Sequence, residues 1–411
     1  MNRRVVSAFI STIVMVIHCL SVSAQPKLLS RQTMDYFSTV SALFLYCEPE
    51  QNEQFGNVWS HIKRLLADID EAVSLLHPDS DISHFNNLGY GEKTAIRPLT
   101  AQMLSIAFDV YTQTDGLYDP TVYPLVDLWG FSPRFNLNTY QPSMPYDRVY
   151  VNGRLPLPDR SHIDALLPLV GLSGIDMYYE NGVWYLKKNT PPVTIDGCVI
   201  QAQLDLGGIA KGYACDLVKE YLQNQGYTMG YFVCGGSSMA ILSHPKEDGL
   251  YSLTLGKPRP GKENISHYAT IAVHNTMLST SSDNTHAYQF DGIRYCHIIN
   301  PHTGYPVNMP YDDGIQRGTA SITLFAQNAA RSDALTTALC LMPPQEAFDF
   351  IAQHLPQNLA VAALYQSDID TIEVITNITE DHISIDDPAY IPASFTTATG
   401  ETTYTGTFFS H

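Results

Sequence analysis

Apolar residues recur at helical spacing through one long early stretch: Val58, Ile62, Leu65, Leu66, Ile69, Val73 and Leu76. This spacing predicts a helix over residues 54–76, stopped by Pro78. Residues 38–47 before it are mostly apolar and of strand length, which predicts a buried strand. Residues 100–114 repeat the helical pattern, with Thr100 as the expected N-cap and Asp115-Gly116 as the closing turn. Further helices are expected at 161–171, 211–225, 327–341 and 344–354. Strand-like runs fall at 183–186, 194–196, 229–234, 238–243, 250–256, 268–274 and 321–325, and a long loop rich in Pro, Asn and Tyr fills 130–160. Helices mixed with antiparallel-type runs, rather than regular βαβ units, predict an α+β fold.

The stretch that carries the most chemistry is Leu204-Asp205-Leu206-Gly207-Gly208-Ile209-Ala210-Lys211-Gly212-Tyr213-Ala214-Cys215-Asp216. Gly207 and Gly208 allow either positive φ or close approach of the backbone to a ligand. Asp205 can accept from ribose or base, and Lys211 can neutralise phosphate. The familiar phosphate motifs do not match. Lys211 precedes Gly212 with no Ser or Thr behind it, and the glycines lack dinucleotide-fingerprint spacing. On these residues alone, a ligand loop and an ordinary glycine-rich strand-to-helix turn both stay open.

The rest of the chain supplies ordered companions. They are Ser80-Asp81-Ile82-Ser83-His84-Phe85-Asn86; Gly116-Leu117-Tyr118-Asp119-Pro120-Thr121-Val122, then Leu128-Trp129-Gly130-Phe131; Cys234-Gly235-Gly236-Ser237-Ser238; Leu278-Ser279-Thr280-Ser281; His297-Ile298-Ile299-Asn300-Pro301-His302-Thr303-Gly304; and Ser332-Asp333-Ala334-Leu335-Thr336-Thr337. With the glycine segment, this succession resembles the FAD:protein FMN transferase family, over about residues 34–345.

The resemblance implies a T-fold-like architecture of antiparallel sheets with packed helices. It implies metal-dependent transfer of FMN from FAD to a Ser or Thr hydroxyl of an acceptor protein, with release of AMP. The acceptor would be a subunit of an extracytoplasmic redox complex. It assigns FAD contacts to Leu117, Tyr118, Asp119, Asp205, Lys211 and Ile299. Metal ligands would be Gly208 through its carbonyl, Asp333 and Thr337, with Thr336 as a further option, and the ion would be Mg²⁺, or else Mn²⁺ or Ca²⁺. Asp333 and Thr337 lie four apart, so a helix presents both on one face. His297 is the expected general base, in a block where Asn300 replaces the family's Asp. Phe37-Ser38-Thr39 stands where many members have Met-Gly-Thr. Two other uses of the same pocket are an FAD pyrophosphatase giving FMN and AMP, and a non-enzymatic flavin carrier.

Charge and cysteines sharpen this reading. Arg3, Arg4, the apolar run to Ile17 and Val22-Ser23-Ala24 read as a cleaved signal peptide over 1–24, hence an extracytoplasmic, periplasmic protein. Cys19 offers a lipid anchor as the minority option, because His18 before it does not suit a lipobox. A formal net charge of −18 without a Lys/Arg cluster argues against nucleic-acid partners. It also opposes an anionic dinucleotide, which makes a bound divalent cation attractive. Six scattered cysteines beyond Cys19, without a C-x-x-C pair, argue against zinc and redox motifs and read mainly as buried apolar residues. The expected organisation is one catalytic domain over 25–355 and a C-terminal extension over 356–411.

Overall fold

The computed structural model describes residues 26–135, 141–151, 155–259, 265–284, 286–367 and 370–393, with a short strand pair at 395–396 and 402–403. The expected signal segment, Cys19 and most of the Thr-rich tail lie outside these residues.

Nine strands form the central sheet: Lys27–Thr33 (β1), Ser41–Cys47 (β2), Gly230–Cys234 (β3), Ser238–Ile241 (β4), Met277–Ser282 (β5), Arg317–Ala326 (β6), Leu359–Gln366 (β7), Ile372–Thr376 (β8) and Tyr390–Pro392 (β9). They lie side by side in chain order. Neighbours are antiparallel except β8 and β9, which run parallel. The sheet is thus a meander opened by insertions. The helices are Phe55–Val73 (α1), Asp81–Asn86 (α2), Pro98–Gln113 (α3), Tyr123–Leu128 (α4), Arg160–Leu166 (α5), Ala210–Asn224 (α6), Ala329–Leu341 (α7) and Pro344–His354 (α8). The α+β expectation holds.

Side-chain alternation along the strands builds two cores. On β6, Leu324 joins Leu43, Leu45, Ile62, Leu66, Leu104 and Leu339 under the helices. Its neighbour Phe325 joins Ile241, Leu278 and Val374 on the opposite face. That second face is covered by a small sheet of Tyr251–Gly256, His267–Val273 and Ile383–Ile385. A third cluster gathers α4 and α5 around Trp129, Tyr295 and Ile299. The buried face of α1 alone (Phe55, Val58, Trp59, Ile62, Leu66, Ile69, Val73) contributes on the order of 10 kcal/mol of apolar burial, as an upper bound.

Several expectations shift at the ends of elements. Helix α1 stops at Val73, not at Pro78, and Leu76 is 70% exposed. The Ser74 hydroxyl accepts from the Leu76 and His77 N–H groups and starts the turn itself. Thr100 is not an N-cap. Arg97 holds that position, Pro98 opens the helix, and Asp81 Oδ2 accepts from both Arg97 N–H (2.7 Å) and Thr100 Oγ1 (2.6 Å). The serine-rich turn is the short helix α2, capped by Ser80, whose Oγ accepts from Ser83 N–H at 2.9 Å. The described part of 130–160 is ordered around Arg134, which bridges Asp127 and Asp147. Residues 359–392 add three strands to the central sheet, so the boundary at 355 falls inside one layer.

Candidate functional site

The glycine loop joins Leu204 to the first turn of α6, and three distant parts of the chain tie it down. Asn86, the last residue of α2, donates from Nδ2 to the Leu204 carbonyl (2.9 Å) and accepts from the Leu204 N–H (2.7 Å). The Asp205 N–H donates to the Pro120 carbonyl at 2.9 Å. The Gly212 N–H donates to Asp333 Oδ2 at 3.1 Å. The serine block, the Gly-Leu-Tyr-Asp-Pro block and α7 therefore meet here.

Space, rather than backbone angle, explains these glycines. Neither Gly207 nor Gly208 takes positive φ, so close approach is the relevant property. A Cβ on Gly208 would lie 3.4 Å from the Tyr118 ring and 3.7 Å from Thr337 Oγ1. A Cβ on Gly212 would lie 2.2 Å from the Ala329 carbonyl oxygen, so α6 and α7 cross backbone against backbone. Asp216, one turn along α6, accepts from the Ala329 and Ala330 N–H groups at 2.7 and 2.9 Å and caps α7 from outside. Burial pushes its carboxyl up to about 6, against the pull of those two N–H groups.

Asp333 is 4% exposed, and burial raises its pKa. Lys211, with Nζ 4.0 Å away, and the Gly212 N–H pull the other way. Lys211 also donates to the Gly207 carbonyl at 2.7 Å. Burial likewise raises Asp205, whose Oδ1 accepts from the Gly207 N–H at 2.7 Å. A Cβ on Gly235, at φ +68°, would lie 3.0 Å from Lys211 Cδ and 3.1 Å from Thr39 Cγ2, so this turn lies close to both side chains. Just before Thr39, Ser38 takes φ +51°, the conformation glycine favours, at the position where many members of the resembled family carry glycine.

The two adjacent threonines separate by helix phase. Thr337 is half-buried and near Gly208. Thr336 is fully buried, donates to the Asp333 carbonyl at 3.0 Å and accepts from Ser281 Oγ at 2.9 Å. Its hydroxyl ties α7 to β5 through Ser281, which Thr337 Oγ1 approaches less closely, at 3.4 Å. Tyr118 is 3% exposed and borders Gly208. Burial first, then Asp333, Asp205 and Asp119, raise its phenol well above the ordinary value.

Other expected contacts lie elsewhere. Asp119 is turned inward: Oδ1 accepts from Thr121 N–H and Oγ1 (2.8 and 2.6 Å), and Oδ2 from Leu172 N–H (3.2 Å). Leu117 packs on the main core, and Ile299 is buried in the third cluster. His297 is half-buried, its N–H donating to the His286 carbonyl at 3.1 Å, with the two rings 5.4 Å apart. Asn300 does not orient it. Its Oδ1 accepts from the His302 and Thr303 N–H groups and so holds the following turn. A cavity of about 460 Å³ runs from this turn to the C-terminal end of α7, bounded by Asn300, Tyr305, Met309, Arg317 and Leu341.

The model of the ApbE family matches residues 34–362, four fifths of the chain. The chain belongs to the ApbE family. Among similar proteins, the FAD:protein FMN transferase of Vibrio cholerae is 26% identical over 283 residues, covering 69% of this chain and 72% of that protein. The FAD:protein FMN transferase of Haemophilus influenzae is 28% identical over 308 residues, covering 75% and 78%. The solved flavin transferase ApbE from Vibrio cholerae matches with a TM-score of 0.63 at 23% identity, over 88% of this chain and 97% of that one. The ApbE protein of Thermotoga maritima matches with a TM-score of 0.62 at 22% identity, over 82% and 94%. These two likenesses concern the fold.

Within this ApbE chain, Asp333, Thr337 and the Gly208 backbone offer hard oxygen donors, with one buried carboxylate among them. No group of three or more His, Cys, Asp or Glu side chains able to hold a metal occurs among the described residues. Donors of this type fit a hard divalent cation. Sequence reasoning missed Asn86 and Asp216 as positioning groups, although both sit in the quoted blocks. All six cysteines after Cys19 carry free thiols, and all but Cys198 are buried.

Proposed function

We propose that this chain transfers the FMN part of FAD to a Ser or Thr hydroxyl of an acceptor protein and releases AMP. The observation that carries the reading is the meeting of Tyr118, Gly208, Lys211, Asp333 and Thr337 at one loop, in a chain of the ApbE family. Asp333, Thr337 and the Gly208 carbonyl would hold Mg²⁺, Mn²⁺ or Ca²⁺, which would neutralise charge on the pyrophosphate. Lys211 adds a fixed positive charge beside the same loop. Asp216 and the α6–α7 crossing hold Asp333 in register with the loop. His297 takes the proton of the attacking hydroxyl; the new bond forms from that oxygen to the FMN phosphorus, and the bond to the AMP oxygen breaks. The leader 1–24 would place this activity outside the cytoplasm, on a subunit of a redox complex, with lipidation at Cys19 disfavoured.

The test combines purified chain, FAD, Mg²⁺ and acceptor domains from the same organism. Flavin fluorescence that survives denaturation on the acceptor, with stoichiometric AMP, is expected. FAD cleavage at the same rate without any acceptor would instead make the chain a pyrophosphatase.

A further inference from the structure

His297 stands at the end of a hairpin that cannot fix its own position. The strands Ala287–Phe290 and Ile293–Cys296 pair with each other and with no other strand among the described residues. A lone two-stranded ribbon is marginal in water, so its place is set from outside. Tyr295 packs one side of it on Trp129. The backbone that enters it is fixed at Asp283, which is 2% exposed. Arg294 donates from Nε to the Asp283 carbonyl and from Nη2 to the Asn284 carbonyl, both at 2.8 Å. The Asp283 N–H donates to the Ala320 carbonyl on β6 at 3.0 Å. Three residues on, His286 takes φ +47° and its carbonyl accepts the His297 N–H. Asp283, Asn284 and His286 thus form a rail beside Arg294 and His297.

The Asp283 carboxylate meets the Arg259 guanidinium as a fork, Nη1 to Oδ1 at 2.5 Å and Nη2 to Oδ2 at 2.6 Å, and Asn308 Nδ2 adds a donor at 3.3 Å. Arg259 is in turn held by the C-terminal segment. Tyr390, fully buried on β9, accepts from the Arg259 N–H at 3.2 Å and donates to its carbonyl at 2.7 Å. Two residues before Arg259, Lys257 pairs with the buried Asp387. Burying two charges costs about what their attraction returns, so stability is a weak reason for the pair. A guanidinium fork fixes direction as well as distance. We propose that Arg259 is a positioning residue for flavin transfer: through Asp283 it sets the rail that carries His297, and Tyr390 makes strand β9 part of the same device. This rests on the flavin-transfer reading and on His297 as its base.

The test compares full-chain wild type, Arg259→Lys, Tyr390→Phe and His297→Ala, and then each of the first two changes in the His297→Ala chain. Lysine keeps the charge and loses the fork. Phenylalanine keeps the ring stacked on Tyr268 and loses both bonds to Arg259. Single-turnover transfer to an acceptor domain from the same organism, at saturating FAD and Mg²⁺, is measured beside FAD affinity. Arg259→Lys should slow transfer at least about tenfold and Tyr390→Phe about three- to tenfold, with FAD affinity unchanged within about twofold. In the His297→Ala chain the same changes should cost less than about twofold more, because the group they misplace is already gone. Full losses in that chain, FAD binding that weakens in step with the rate, or wild-type transfer in both variants would each overturn the proposal. If Arg259→Lys does not fold, Tyr390→Phe decides; if His297→Ala leaves no measurable transfer, the split between rate and affinity in the single variants decides. Undiminished transfer by His297→Ala overturns the route through His297 and leaves flavin transfer standing, whereas no transfer by wild type overturns both.

Discussion

Gly212→Ala places one methyl group where α6 crosses α7. The new Cβ would sit 2.2 Å from the Ala329 oxygen, 2.5 Å from its carbonyl carbon and 2.8 Å from Ala330 Cα. Comfortable carbon contacts lie at about 3.5–4.0 Å, so α7 must retreat by roughly 1 Å. The obstacle is backbone, which has no rotamer to escape into. Retreat stretches the Gly212 N–H bond to Asp333 and the two bonds from Asp216 to the start of α7. Helix propensity favours the alanine by about 1 kcal/mol. Overpacking costs about 1–3 kcal/mol, and weakening bonds to charged acceptors adds about 1–2 kcal/mol. The net expectation is a loss of about 1–4 kcal/mol, together with at least tenfold lower FAD turnover.

Gly56→Ala supplies the control, since Gly56 lies in α1 with nothing within 4 Å of its Cβ position. It should gain about 0.5–1 kcal/mol. Urea unfolding of wild type and both variants measures the two signs. If Gly212→Ala stabilises as Gly56→Ala does, the backbone-on-backbone account of this crossing is wrong.

Three other outcomes follow from the same geometry. Asn86→Ala removes both bonds to Leu204, so FAD turnover should drop at least tenfold for about 1–3 kcal/mol of stability; a loss of stability with turnover intact would show that the clip does not set the loop. Thr337→Val should weaken Mg²⁺ dependence of turnover with little change in melting temperature, whereas Thr336→Val should lower melting by removing the shorter of Ser281's two threonine contacts; the reverse pattern would exchange their roles. Lys188 is fully buried, donates to the Asn86 and Leu88 carbonyls, and is brought down to about 8 by burial. Its folded pKa lies below the unfolded 10.5, so its contribution is present above 10.5 and is lost as pH falls through 8. The stability difference between wild type and Lys188→Met should therefore move in favour of wild type by up to about 3 kcal/mol from pH 7 to pH 10.5, and a flat difference would refute it.

Legibility in the sequence tracked whether a residue's task is local. Helix α1 follows from apolar spacing, and Asp333 with Thr337 follows from a four-residue step on one helix face. Thr336 could not be separated from Thr337 on composition, because only the 100° turn between them buries one fully, 2.9 Å from Ser281, and leaves the other half-buried beside Gly208 and 3.4 Å from the same serine. The cap of α3 failed for a different reason. Its acceptor is Asp81, which the chain brings in from another helix. Strand β7, an unbroken apolar run buried on both faces, gave no alternation to read. Asp119 and Asn300 sit inside ligand-like motifs yet spend their oxygens on neighbouring N–H groups.

That last distinction resolves the difficulty of an anionic substrate in an acidic chain. Four carboxylates cluster about the glycine loop: Asp119, Asp205, Asp216 and Asp333. Asp119, Asp205 and Asp216 are acceptors for backbone N–H groups, so peptide dipoles rather than cations answer most of their charge. They fix a turn and a helix start, and their geometry is already complete. Asp333 alone combines a buried carboxylate with a lysine 4.0 Å away and a neighbouring hydroxyl at Thr337. The acidity that repels a dinucleotide across the whole surface is thus mostly spent on architecture at the loop. The charge left over belongs to one residue, placed where a hard cation and a phosphate can share it.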